Sequence, residues 1–290
     1  CLCRAGGPAA AARARRRAGD GGAALRQDPR HRQRVRAAWH EAGLVVQRRD
    51  ARAALLDGFT TVREAGGADH RAARSLEQGD IVGPRLFYSG RALTQTGGGA
   101  DFRTMDESTD PCGHVMPHTV MSVIVDGADE VRRAAREELR LGATQLKLFA
   151  SGGVVFPAKS HATRYEFSRA ETEAAVEEAT ARDTYVMAHA YSDEAVRRCL
   201  QAGVRSIEHA NFVSEETVAL MGEYGAFFDP TFISLVQRIE SADRTGLSDT
   251  VVQNVTHAVE QGRQTEGADQ VARVAACVLQ GDAQVDHLDA

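Results

Sequence analysis

Residues 142–153 read GATQLKLFASGG: a helix-stopping glycine, a short apolar run with a lysine inside it, and a glycine turn. The arrangement recurs twice, in TYVMAHAYS at 184–192 with His189 and in GVRSIEHANF at 203–212 with His209. Apolar runs of this length between turn residues read as buried strands. A buried strand gains nothing from an ionisable group unless something there uses it. Lys147, His189 and His209 are therefore the first site candidates, and neutral imidazoles suit zinc well. Side chains alternate along a strand, so His189 and Tyr191 are expected on one face. Glu208 and His209 are expected on opposite faces, which sets Glu208 aside as a fellow ligand.

Outward from these runs the chain alternates helix and strand. GADEVRRAAREELRLGA at 127–143 places Val131, Ala135 and Leu139 at i, i+4 and i+8, an amphipathic helix with Gly142 as its stop. Ser168 and Glu171 form a capping-box pattern, Ser192 opens a helix that ends at Gly203, and Ser214 to Tyr224 is helical with Gly225 beyond it. AFFDPTFI at 226–233, RLFYSGRAL at 85–93 and GFTTVREAGG at 58–67 read as further strands. A long Gly-, Asp- and Pro-rich loop from Thr94 to Asp126 is expected to cover the site. Strand, helix, strand at roughly 20- to 40-residue spacing is βαβ organisation. No GxGxxG follows a first strand, so the reading is an α/β fold of (β/α)8 TIM type, incomplete because the first and last strands are not recognisable. In that fold strand ends converge, which lets Lys147, His189 and His209 meet across the chain.

Composition narrows the partners. A net charge of -5 favours neither nucleic acid nor anionic lipid, and no run approaches a membrane helix, so a small-molecule substrate in a cytoplasmic protein is expected. The five cysteines include no CxxC pair and imply a reducing compartment. A homo-oligomer is compatible with this reading. Of 35 Lys plus Arg only Lys147 and Lys159 are lysines, so a lysine here is not a generic surface cation. Unlike guanidinium, its amine can be deprotonated by burial and then react with a carbonyl or with carbon dioxide. Residues 1–50 hold twelve arginines in an Ala/Gly background without clean periodicity, and 267–290 is similarly uninformative. The expected division is an Arg/Ala-rich segment at 1–50, a barrel core at 51–266 and a segment of unassigned structure at 267–290.

GFTTVREAGG, GPRLFYSGRALTQTGGG, GATQLKLFASGG, MAHAYS and GVRSIEHANF, in this order from about Ala54 to Thr265, resemble the amidohydrolase superfamily, in its prolidase-like and imidazolonepropionase-related branch. The resemblance implies that Lys147 is carbamylated and bridges two divalent metals, zinc foremost, with His189 and His209 binding one of them. A bridging hydroxide would then attack an amide carbonyl in a dipeptide or N-acyl amino acid. Two family features are missing from these residues. The His-X-His of the first strand does not occur, and His31 and His40 are poor substitutes; nor does the Gly-Thr-Asp of the eighth, for which Asp282 and Asp286 lack an apolar strand. The chain thus reads as shortened at both ends, with half of a binuclear site and no recognisable proton-shuttling aspartate. Gly99 stands where the branch often has histidine.

Two further residues are substrate-binding candidates. Tyr191 could aim its hydroxyl at a substrate carbonyl or pack at the barrel rim; Arg63, ending its strand, could hold a carboxylate or serve as a salt-bridge partner, as strand-end arginines more often do. Ser151-Gly152-Gly153 could cradle an anion or simply turn the chain. Three functions follow: a metal-dependent hydrolase of amide or dipeptide-like C–N bonds, a Lys147 Schiff-base enzyme on the same barrel, and a non-catalytic barrel keeping a partial metal site.

Overall fold

The computed structural model describes residues 51–103, 121–155 and 161–266. The expected segments 1–50 and 267–290, with His31, His40, Asp282 and Asp286, lie outside the described residues, as do Lys159 and most of the expected covering loop. In chain order the elements are α1 (residues 51–56), β1 (Thr61–Arg63), α2 (His70–Glu77), β2 (Arg85–Phe87), β3 (Ala92–Thr94) and β4 (Ser122–Ile124). There follow α3 (Ala128–Arg140), β5 (Leu146–Phe149), α4 (Arg169–Thr180), β6 (Val186–Ser192), α5 (Asp193–Ala202) and β7 (Ser206–Phe212). The last are α6 (Glu215–Glu223), β8 (Phe227–Asp229), α7 (Phe232–Glu240), α8 (Ala242–Thr245) and α9 (Asp249–Glu266).

Every strand pairing is parallel: β4-β3-β5-β6-β7-β8 form one sheet and β1-β2 a second. The two sheets curve around a common interior. From β1, the Arg63 side chain reaches Ser206 and Glu208 on β7 and Asp229 on β8. The Gln145 amide beside β5 donates to the Glu64 carbonyl at 3.1 Å. This is the α/β arrangement of a TIM-type barrel, with helices outside and the strands' carboxyl ends at one mouth.

Local sequence chemistry sets the element ends. Ser168 accepts from the Glu171 amide and Glu171 returns the bond to the Ser168 amide, the reciprocal cap expected of that pair. Ser192 and Ser214 cap α5 and α6 in one direction only, accepting from the Ala195 and Thr217 amides, and Gly203, at φ 92°, supplies the left-handed residue that closes α5. Val131, Ala135 and Leu139 all face inward from α3. They join Leu146, Leu148, Val186 and Ile207 in one core between sheet and helices. Each large aliphatic buried there contributes about 2 kcal/mol.

Three expectations are corrected. RLFYSGRAL is two strands, not one: β2 pairs with β1, while β3 pairs with β4 and β5. The break lies at Gly90, where a Cβ would stand 2.2 Å from Glu138 Oε2; that buried carboxylate is held by the Arg91 amide at 3.0 Å and its Nε at 2.8 Å. The loop from Thr94 to Asp126 contains β4. AFFDPTFI is strand only to Asp229: Pro230 has no N–H for a ladder, Thr231 turns left-handed at φ 50°, and Phe232 begins α7. Among the described residues no helix is long and apolar enough to cross a membrane.

Candidate active site

A cavity of about 290 Å³ opens at the carboxyl ends of the strands. β1 brings Arg63 to it, β5 Lys147, β6 His189 and Tyr191, β7 Glu208 and His209, and β8 Asp229. All five candidate residues from the sequence thus meet at one place, although Lys147 and His209 lie at opposite ends of a 63-residue interval.

The two imidazoles lie edge to face with ring centroids 4.5 Å apart. Phe149 stacks on His189 at 4.5 Å and Tyr191 stacks on His209 at 5.0 Å, so aromatic packing fixes both rings. Each histidine also has one nitrogen engaged. His189 Nε2 lies 3.1 Å from the Gly152 carbonyl, to which it can only donate, and His209 Nδ1 meets the Thr231 hydroxyl. Donation to a carbonyl fixes the His189 tautomer and leaves its Nδ1 lone pair available; His209 Nε2 is the corresponding atom on its neighbour.

Burial dominates the titration of the site. It drives His189 well below the ordinary imidazole value, helped by the charges of His209 and Lys147. It drives His209 down to about 3, with Lys147 adding to the effect. Both rings are neutral near pH 7, the form that ligates a metal. The Lys147 amine, 3% exposed, is lowered by burial to about 8; Glu208 opposes the shift and Arg63 adds to it. Tyr191 is raised by burial and stays a hydrogen-bond donor.

Arg63 is engaged within the protein. Its Nη1 lies 3.1 Å from Glu208 Oε1, its Nη2 3.2 Å from Glu208 Oε2 and 3.5 Å from Asp229 Oδ2. The structure therefore shows this arginine as a salt-bridge partner. Burial raises the Glu208 carboxyl, but Lys147, Arg63 and the Ser206 hydroxyl outweigh it and hold the group below its ordinary value. Asp229 goes the other way, raised by burial and by the Glu208 charge.

The expectation that Glu208 and His209 face apart is corrected: both line the cavity. His209 at φ 78° and Ala210 at φ 42° break the extended backbone, and the β6–β7 register shifts between Ala190 and Ser192. Alternation holds only for regular strand, and non-glycine residues in this region cost about 1–3 kcal/mol each. Ser151 and Gly153 form isolated β-bridges with Tyr165 and His161, and the polar groups of Ser151 and Gly152 are used within the protein. The Gly152 amide donates to the Arg164 carbonyl at 3.2 Å, its carbonyl is used by His189, and Ser151 Oγ accepts from the Tyr191 amide at 3.1 Å.

Sequence reasoning set Glu208 aside and missed Asp229 and Thr231. Asp229 carried the same signal as the others, an ionisable group closing an apolar run, in AFFDP. Thr231 carried none, because its link to His209 depends on a left-handed turn. Among the described residues no group of three or more His, Cys, Asp or Glu is placed to hold a metal. The donor set on offer is two neutral imidazoles and Lys147, whose amine becomes an anionic oxygen ligand only on carbamylation; that chemistry fits a divalent cation.

The site is thus a strand-end pocket of an α/β barrel built from one buried lysine and two neutral histidines. The chain belongs to the amidohydrolase family, whose model matches residues 40–281. Ochratoxinase of Aspergillus niger is 34% identical over 190 residues, 61% of this chain and 38% of that protein. A solved prolidase in complex with N-methylphosphonate-L-proline shares 40% identity at a TM-score of 0.71, over 78% of this chain and 54% of that one. A Xaa-Pro dipeptidase with methionine in its active site shares 27% at a TM-score of 0.65, over 88% and 59%. The chain spans about half the length of these solved relatives and less of ochratoxinase.

Proposed function

We propose that this chain carries the barrel site of a metal-dependent hydrolase that cleaves amide or dipeptide-like C–N bonds. The observation that carries the reading is the meeting of Lys147, His189 and His209, from three successive strands of the sheet, in one cavity with both imidazoles held neutral. The prolidase and ochratoxinase similarities support the bond class.

Lys147, His189 and His209 would hold the cation. Near pH 8 a large share of the Lys147 amine is neutral and able to add carbon dioxide, giving a carbamate and releasing one proton. His189 would present Nδ1 and His209 Nε2, each ring fixed through its other nitrogen. Bound zinc would supply a water of lowered pKa and a polarising charge for the substrate carbonyl. Tyr191, protonated and packed on His209, would donate its hydroxyl to the carbonyl oxygen as negative charge develops there. Arg63, neutralised by Glu208 and Asp229, fixes the cavity floor instead of reaching substrate.

The test is hydrolysis of N-acyl amino acids and Xaa-Pro dipeptides by protein produced with zinc and bicarbonate. Activity lost in Lys147→Arg, His189→Ala and His209→Ala, with each variant folded, is the expected result. Zinc-independent turnover would reject the reading. The lowered Lys147 amine also favours a Schiff-base enzyme, and borohydride trapping of a carbonyl substrate on Lys147 would select that reading.

A further inference from the structure

After Asp229 the chain leaves the sheet and, within the described residues, does not return to it; it forms α7, α8 and α9 instead. α7 walls one side of the strand-end cavity through Ser234 and Leu235. Behind it α9 packs on both α7 and β7. These helices have an apolar core of their own. Leu235, Val255 and Val259 from the helices meet Val154, Ala162 and Tyr191 from the barrel, apart from the main core between sheet and outer helices. A small separate cluster can open while the larger one stays closed.

Other fastenings are few. Thr231, at the N-cap of α7, gives its hydroxyl to His209 and leaves the helix without a side-chain cap, and α8 has none either. Among the described residues no ion pair joins these helices to the barrel. The joint to β8 is Pro230 and Thr231, the latter left-handed at φ 50°.

The seat of α9 carries a specific cost. Asn211, on β7, is 1% exposed, and neither its Nδ2 nor its Oδ1 has a hydrogen-bond partner. What covers it is Gly262, where a Cβ would stand 2.5 Å from Asn211 Nδ2 and 2.5 Å from the Phe232 ring. Only glycine lets α9 come down so close. The approach strips water from the amide and puts no donor or acceptor in its place, so each unmet group is penalised for as long as α9 is seated. With α9 lifted, water satisfies both groups.

We propose that α7 to α9 form a hinged cap on the cavity, joined to β8 at Pro230 and Thr231, and that the buried Asn211 amide beneath Gly262 keeps the seated cap easily released, so that the cap gates passage into the cavity. The gate concerns access and not the bond cleaved, so it stands independently of the hydrolase reading.

Two variants of opposite sign test it. Asn211→Leu keeps the side-chain shape while removing both unmet groups and should seat the cap more firmly; Gly262→Ala should unseat it. Two rates are measured on the full chain. Amide exchange of α9, read by mass spectrometry against β6 as reference, reports release of the cap. Acetylation of Lys147 by acetic anhydride, in chelator at one fixed pH, reports access to the cavity. In the wild type α9 should exchange at least about ten-fold faster than β6. Asn211→Leu should slow α9 exchange and Lys147 acetylation together by about ten-fold, and Gly262→Ala should speed both by at least as much. Circular dichroism checks each fold, and if Asn211→Leu does not fold, the two rates in Gly262→Ala decide. α9 exchanging no faster than β6, α9 exchange unchanged by the substitutions, or Lys147 acetylation that ignores a change in α9 exchange overturns the proposal.

Discussion

Arg63 and Glu208, 145 positions apart, meet in a two-point ion pair, Nη1 to Oε1 at 3.1 Å and Nη2 to Oε2 at 3.2 Å. The pair spans the barrel interior from β1 to β7, and Glu208 is only 3% exposed against 28% for Arg63. Removing one partner leaves the other charge in a poorly solvated place. Glu208→Gln and Arg63→Gln are each expected to cost about 3 kcal/mol, and the double variant clearly less than the sum. Urea unfolding of the four proteins measures this; strict additivity would show that the pair is not coupled.

The same pair has an acid limit. The folded-state pKa of Glu208 lies below its ordinary 4.5, so its contribution is complete above that pH and is lost as pH falls through the lowered value. Asp229, raised by burial and by Glu208, acts in the opposite sense. The informative quantity is therefore the difference between wild type and Glu208→Gln, which should shrink steadily below about pH 4.5. A difference constant from pH 6 to pH 3 would contradict the assigned cause.

Thr231 orients a histidine through a single hydroxyl. If His209 ligates zinc, Thr231→Val should weaken zinc about 10- to 100-fold, while Thr231→Ser, which keeps the hydroxyl, should stay near wild type. Competition with a chromophoric chelator reads the affinity directly, without reference to activity. Equal affinities in both variants would remove Thr231 from the site.

Outside the site, the reciprocal cap of α4 offers a control on the fold. Ser168→Ala removes an acceptor from the Glu171 amide and should cost about 1 kcal/mol in unfolding, with no change in ligand binding. An effect on binding would show that α4 couples to the cavity.

How legible was this molecule in its sequence? The helix signals were local, residing in Ser168, Ser192, Ser214 and Gly203, and they were readable because a cap needs only neighbours. The site candidates were readable because Lys147, His189 and His209 violate the apolar rule at strand ends. RLFYSGRAL hid a strand break, since what interrupts it is Glu138, nearly fifty positions away and pressed against Gly90. Glu208 was set aside by an alternation that two left-handed residues suspend. Arg63 read as either a substrate contact or a salt-bridge partner, and its actual partners were not legible because they come from β7 and β8, which only the curvature of the barrel brings near.

The most direct test of the central claim is metal analysis of the purified chain after expression with zinc and carbon-13 bicarbonate. The account predicts bound zinc, together with a carbamate carbon resonance that disappears in Lys147→Arg, and loss of the zinc in His189→Ala and His209→Ala. A wild-type chain that is folded but holds no zinc and shows no carbamate would contradict it.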